Sequence, residues 1–144
     1  KVPAGKTFDR PVLSTDIFAT IHAAAGAPKP KGKYVESYDL LPYLTGDPNL
    51  DPHEWLYWRQ SHKTAFRLGD MKIVRQTPKK WELYDMEADR TELNNLAAKM
   101  PEKAKALADL WQQQTDEFIA LAKLTIPENP RPKAGKGPAK KKAK

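Results

Sequence analysis

Between residues 55 and 85 the chain reads WLYWRQSHKTAFRLGDMKIVRQTPKKWELYD, a succession of apolar stretches interrupted by polar and turn-forming residues. The stretches 55–59, 64–68, 71–76 and 81–85 have the length of strands and are too short for helices. Gly69, between the second and third, can take the positive φ that opens a two-residue primed turn, so this pair is expected to form a tight hairpin. In the third stretch Met71, Ile73 and Arg75 alternate with Lys72 and Val74, and in the fourth Trp81 and Leu83 alternate with Glu82 and Tyr84. Successive strand residues point to opposite faces, so the result is a small antiparallel sheet with one face to cover.

The cover is expected from the far end of the chain. Pro101 opens the longest helical pattern, which runs to about Lys123 with an apolar stripe of Ala104, Leu107, Leu110 or Trp111, Phe118 and Leu121. Glu102 at its start and Lys123 near its end suit the helix dipole. The fold class expected is therefore α+β, a four-stranded antiparallel sheet packed by a long carboxy-terminal helix. A turn over 89–92 and a short helix over 95–99 are expected between them.

Ahead of the sheet, Pro3 and Gly5 break a polar lead-in. Ser14 or Thr15 then stands where a helix N-cap belongs, with Asp16 in the first turn and Ile17, Phe18, Ile21, Ala24 and Ala25 at helical spacing. This predicts a buried helix of about three turns, stopped by Gly26 and kept stopped by Pro28 and Pro30. His22 inside it reads as a structural residue, because no second histidine or carboxylate sits at metal-binding spacing. A Lys/Pro/Gly linker over 29–33 follows, and Asp39 is expected to cap a short turn, Leu40-Leu41-Pro42-Tyr43-Leu44, that ends at Gly46. A loop over 47–53 with Pro48 and Pro52 leads into the sheet.

At 144 residues the chain is one domain at most, and 13 prolines with a mean hydropathy of −0.73 mark part of it as outside any core. The net charge of +7 suggests a nucleic-acid partner until it is located. Residues 127–144 hold Arg131, Lys133, Lys136, Lys140, Lys141, Lys142 and Lys144 against Glu128 alone, which is +6 and leaves the body at +1. That tail is expected to be disordered and solubilising, and it has no aromatic residue to stack on bases. No apolar run approaches the roughly 20 residues that span a bilayer. No charged-then-apolar leader is present, and the start at Lys1 reads as a cut from something longer. The absence of cysteine excludes disulfides, thiolate metal sites and a cysteine nucleophile within these residues. Asp85, Glu87 and Asp89 are the nearest approach to a carboxylate cluster, and they lack the glycine and terminal bidentate glutamate of a calcium loop.

Taken in order, RPVLSTDIFATIHAAAGAP, DLLPYLTG, WLYWRQSHKTAFRLGDMKIV and WELYDMEADRTELNNLAAKMPE resemble the carboxy-terminal end of a type I sulfatase of the arylsulfatase family. One departure is Glu36-Ser37, where the family has an Asp-Gly pair. The resemblance implies that residues 1–50 are the end of an alkaline-phosphatase-like α/β catalytic domain, whose last helix begins at Ser14. It implies that 51–126 are the carboxy-terminal subdomain and 127–144 a basic tail. It also implies a full-length parent that hydrolyses sulfate esters of small molecules or glycans, in a periplasmic or secreted setting. Such a parent uses calcium and a formylglycine made from Cys or Ser in a C/S-x-P-x-R motif. That motif does not occur in these residues, so no catalytic or metal-binding residue is assigned. The chain reads as scaffold, with the rest of the catalytic domain as its partner.

Substrate contact is expected at one place. The connection 59–63 gathers Arg59, His62 and Lys63 directly after an aromatic strand, and loops on a rigid sheet are where binding residues tend to sit. Arg59 offers a planar fork to a sulfate or carboxylate, Lys63 a point charge and His62 a hydrogen bond. The alternative is a solvated hairpin in which Arg59 pairs with a carboxylate such as Glu82. Two other functional classes stand beside the sulfatase reading: a free-standing structural or interaction module, and a nucleic-acid binder acting through the tail.

Overall fold

The computed structural model describes residues 2–27, 37–46 and 50–125. The linker over 29–33 with Pro28 and Pro30, Glu36, the Asp47 and Pro48 part of the loop, and the basic tail 127–144 lie outside the described residues. In chain order the elements are α1 (Ser14–Ala24), α2 (Leu41–Thr45), β1 (Trp55–Gln60), β2 (Lys63–Leu68), β3 (Met71–Gln76), β4 (Glu82–Asp85) and α3 (Pro101–Thr125).

The strands form one antiparallel meander in the order β1-β2-β3-β4. Its register aligns Tyr57, Phe66, Ile73 and Leu83 in one row across all four strands. On that face Phe66, Ile73 and Leu83 pack with Ala104, Leu107 and Trp111 of α3 to make the core. Trp111 rather than Leu110 continues the helix stripe, since Leu110 is exposed. The Tyr57 ring stacks on Trp111 at 5.8 Å and meets Phe118 edge-on at 5.1 Å. Its hydroxyl pairs with that of Thr115 at 2.9 Å, and Thr115 in turn donates to the Trp111 carbonyl at 2.8 Å. The hydroxyls of Tyr57 and Thr115 are thus partnered inside the core, whereas Arg75 Nε on the same face is buried without a hydrogen-bond partner. Arg75 shares this face because its guanidinium lies 4.3 Å from the centre of the Trp81 ring, a cation–π contact.

Both hairpins are tight. Gly69 has φ +57° between the paired residues Leu68 and Met71. The expected five-residue connection over 59–63 is instead a two-residue turn, Ser61-His62, with Ser61 at φ 52°. The strands extend to Gln60 and back from Lys63, which pair with each other. The expected helix over 95–99 is only a turn, in which the Lys99 and Met100 amides both donate to the Leu96 carbonyl at 2.9 Å, while the Asn95 side chain engages the edge of β4. Its Oδ1 accepts from Leu83 at 3.1 Å and Ala97 at 2.9 Å, while the Leu96 amide donates to the Leu83 carbonyl at 2.7 Å. This clamp covers part of the otherwise open edge of β4.

α1 starts at Ser14, with Leu13 rather than Ser14 or Thr15 at the N-cap. Asp16 makes the difference, since its carboxylate reaches back to the Leu13 amide at 2.7 Å. The helix ends as expected at Gly26, whose φ of +65° closes a Schellman motif with bonds from Gly26 to Ala23 and from Ala27 to His22. The expected burial of α1 is not found. Ile17, Phe18 and Ile21 are 57%, 52% and 64% exposed, because no element among the described residues packs over that face. His22 is half-buried beside the Phe18 ring. At α2, Leu40 is the N-cap and Asp39 accepts from the Leu41 amide at 2.9 Å one residue outside it. Gly46 is required there by a close approach, since a Cβ would stand 2.6 Å from the Pro42 carbonyl oxygen. No described helix is long and apolar enough to cross a membrane.

Candidate functional site

The face of the sheet away from α3 carries a recess of about 630 Å³. The register builds it. Trp58, Ala65, Val74 and Glu82 form one row across the sheet, and Gln60, Lys63 and Gln76 form the next. Ala65 and Val74 are small, so the floor sinks between the indole of Trp58 on β1 and the carboxylate of Glu82 on β4. Arg59, Thr64 and Arg75, in the row between these two, and Lys79, just past β3, complete the lining. Trp58 is 40% exposed, and Lys72 approaches its ring at 5.5 Å without lining the recess. Lys72 is itself paired with Glu92. The Tyr84 hydroxyl donates to Glu82 at 3.1 Å. Burial and the adjacent carboxylate of Glu82 push the Tyr84 phenol up to about 12, so it remains a donor at neutral pH.

Of the residues expected from sequence, Arg59 and Lys63 both line this recess. Strand alternation places Arg59 in the row of Thr64 and Arg75, and Lys63 in the open-face row with Gln60 and Gln76. His62 sits at the turn, exposed and outside the lining. Its ring Nδ1 lies 3.4 Å from the Ser61 hydroxyl and its carbonyl accepts the Thr77 amide at 2.9 Å. Glu82 accepts from Tyr84, and it lies three strands from Arg59 rather than pairing with it. Sequence reasoning passed over Trp58, Gln60, Gln76 and Lys79. Period-two alternation applied to β1 separates Trp58 and Gln60 from Tyr57 and Arg59 and would have found the first two.

A second polar centre lies at the junction of α1 with the sheet lead-in. Asp16 is fully buried, and its carboxylate accepts from His53 Nε2 at 2.7 Å, the Leu13 amide at 2.7 Å and the Tyr38 amide at 3.0 Å. The Tyr38 ring lies edge-on to His53 at 4.9 Å. Burial works against the Asp16 charge, but the bonds from His53 and the two amides outweigh it and hold its pKa below the ordinary carboxylate value. This arrangement ties three separate segments together.

The groups that a sulfatase parent implies do not fit the residues present. No group of three His, Cys, Asp or Glu side chains among the described residues could hold a metal ion. Asp85 Oδ1 is occupied by the Glu87 and Ala88 amides at 3.0 and 3.2 Å, and Asp89 by the Asn94 amide at 2.7 Å. Nor is there a Cys, or a Ser in the C/S-x-P-x-R setting, to yield formylglycine.

No family profile matches the chain. Human steryl-sulfatase is 38% identical to it over 56 residues, which cover 39% of this chain and 10% of that protein. An uncharacterized sulfatase of Schizosaccharomyces pombe is 29% identical over 116 residues, covering 72% of this chain and 21% of that protein. The chain is related to the sulfatases. Ps i-CgsB, solved in complex with k-i-k-neocarrahexaose, superposes with a TM-score of 0.66 at 22% identity, over 78% of this chain and 26% of its own. BT4656, solved in complex with its substrate D-glucosamine-2-N,6-O-disulfate, gives 0.54 at 22% identity, over 81% of this chain and 25% of its own. The sheet and its covering helix therefore have the fold of a sulfatase carboxy-terminal region. This sulfatase-related chain spans about a tenth and a fifth of the length of the two curated relatives, and about a quarter of the solved ones.

Proposed function

We propose that this chain is the carboxy-terminal part of a sulfuric ester hydrolase, in which it serves as scaffold and as one wall of the substrate pocket. The division expected from sequence belongs to the same proposal: residues 1–50 close the catalytic α/β domain, 51–126 form the subdomain, and 127–144 are a tail. Relationship to two sulfatases supports the hydrolase, and the saccharides bound by the structural neighbours favour a sulfated glycan as substrate. Calcium and formylglycine, where the parent uses them, would come from residues outside this chain.

The wall role rests on one observation, the recess to which Arg59 and Lys63 both contribute. The Lys63 ammonium on the open face, with Arg59 also in the lining, suits an anionic group on the part of the substrate that does not react. His62 at the neighbouring turn would add a hydrogen bond as the substrate enters. The test is kinetic, in the longer enzyme the proposal requires. Arg59→Ala and Lys63→Ala are each expected to raise KM about tenfold for a sulfate ester with a charged saccharide remainder, and to leave a small neutral aryl sulfate unaffected. His62→Ala should act in the same direction with a smaller effect. Unchanged KM for both substrates, with lowered stability only, would leave the hairpin as scaffold.

A further inference from the structure

We infer that the recess on the open face of the sheet is a binding site for a single anionic sugar ring, with the Trp58 indole as its stacking platform. The inference rests on the reading above for the class of ligand and goes beyond it in naming the site and its parts. A pyranose presents a flat face of C–H bonds and a rim of hydroxyls, so its site needs an apolar plane flanked by groups that both donate and accept. Trp58 supplies the plane, and its partial exposure leaves it available. Ala65 and Val74 keep the floor low enough for a ring to sit beside the indole. Gln60 and Gln76 each carry one acceptor and two donors in a planar amide, and they lie in the same row across the sheet. Glu82 accepts from hydroxyls, and its bond from Tyr84 fixes its orientation.

Charge then selects the kind of sugar. Arg59, Lys63, Arg75 and Lys79 line the recess against one carboxylate, Glu82, so the lining favours a ring bearing a sulfate or carboxylate. The volume of about 630 Å³ lies inside the range of about 300 to 1,000 Å³ typical of small-ligand sites, and leaves room for a ring with its substituent. A nucleotide fits less well, because a base is usually held by stacking or base-edge readout and phosphate by cations, whereas here a carboxylate and two amides surround the one exposed indole.

The test is a titration of this 144-residue chain followed by NMR of its amide and indole resonances. The probes are O-sulfated N-acetylglucosamine, unsulfated N-acetylglucosamine and inorganic sulfate. The sulfated sugar is expected to shift the Trp58 indole and the amides of β1, β2 and β3 around the recess, and the unsulfated sugar to do so about tenfold more weakly. Inorganic sulfate should leave the indole unmoved. Trp58→Ala should abolish the response to both sugars. Because that indole also meets Lys72, Gln76→Ala and Lys79→Ala, at two exposed positions, serve as variants that preserve the fold. Lys79→Ala should weaken the sulfated sugar about tenfold and leave the unsulfated one alone. No shift at Trp58, equal binding of the two sugars, or the same shifts from inorganic sulfate alone would each overturn the inference. The titration reads no turnover. Binding at Trp58 combined with kinetics indifferent to Arg59 and Lys63 would remove the pocket-wall reading alone, and the reverse result would remove the recess alone.

Discussion

A carboxylate with no exposed surface is costly to bury unless its oxygens are fully partnered, and Asp16 meets that condition with three donors drawn from three segments. Its depressed pKa has a definite sign in stability. The ionised form is favoured in the folded state, so the contribution is complete above the unfolded carboxylate value near 3.8 and is lost as pH falls through the lower folded value. Denaturant midpoints measured across acid pH should fall below about pH 4 in the wild type, and Asp16→Asn should flatten that limb. His53→Ala leaves the buried carboxylate short of a partner and is expected to cost about 3 kcal/mol at neutral pH. An unchanged midpoint in His53→Ala would show that the pair does not tie the segments. Little of this was legible in the sequence. Asp16 was readable as a first-turn acid, but its partners Tyr38 and His53 stand 22 and 37 residues away, beyond the reach of any local pattern.

At the scale of elements the reading went further, because period-two and helical periodicities carry the burial pattern directly. The row of Phe66, Ile73 and Leu83 and the stripe of Ala104 and Leu107 are where alternation and helical spacing put them. Ile73→Ala and Leu107→Ala, both at positions with almost no exposed surface, should each cost about 2 to 5 kcal/mol in a denaturant titration. Gly69→Ala, forced into a left-handed turn at φ +57°, should cost about 1 kcal/mol, even though a Cβ there meets nothing within 4 Å. Failures of the reading arise where side chains override period. Asn95 engages the edge of β4 where a helix was expected, and Gln60 and Lys63 pair where polarity suggested a loop. The candidate site was half legible for the same reason. Arg59 and Lys63 stood out by charge, whereas Gln76 is brought beside Gln60 and Lys63 only through the register of three strands, and Lys79 only through the turn after β3.

The whole molecule presents a contrast between two helices. α3 buries its apolar stripe on the sheet, while α1 holds out Ile17, Phe18 and Ile21 and is anchored through Asp16 instead. An apolar helix face of this kind is the shape of an interface with more polypeptide, and the chain accounts for only about a quarter of the solved neighbours. By itself this chain should hydrolyse no aryl sulfate, and turnover by the purified 144 residues would refute its reading as one part of a larger enzyme. The helix face gives the sharper test. In hydrogen exchange on this chain, the amides of α1 should exchange fast and those of β3 slowly, and uniform protection of both would count against a missing neighbour. Ile17→Ser and Ile21→Ser replace exposed side chains and should shift the stability of this chain by no more than about 0.5 kcal/mol. In the longer enzyme proposed above the same side chains would be buried, and each substitution should cost about 1.5 to 3 kcal/mol. Equal effects in the two settings would mean that the face of α1 meets solvent in both, and the division of the chain at the end of the catalytic domain would then have to be redrawn.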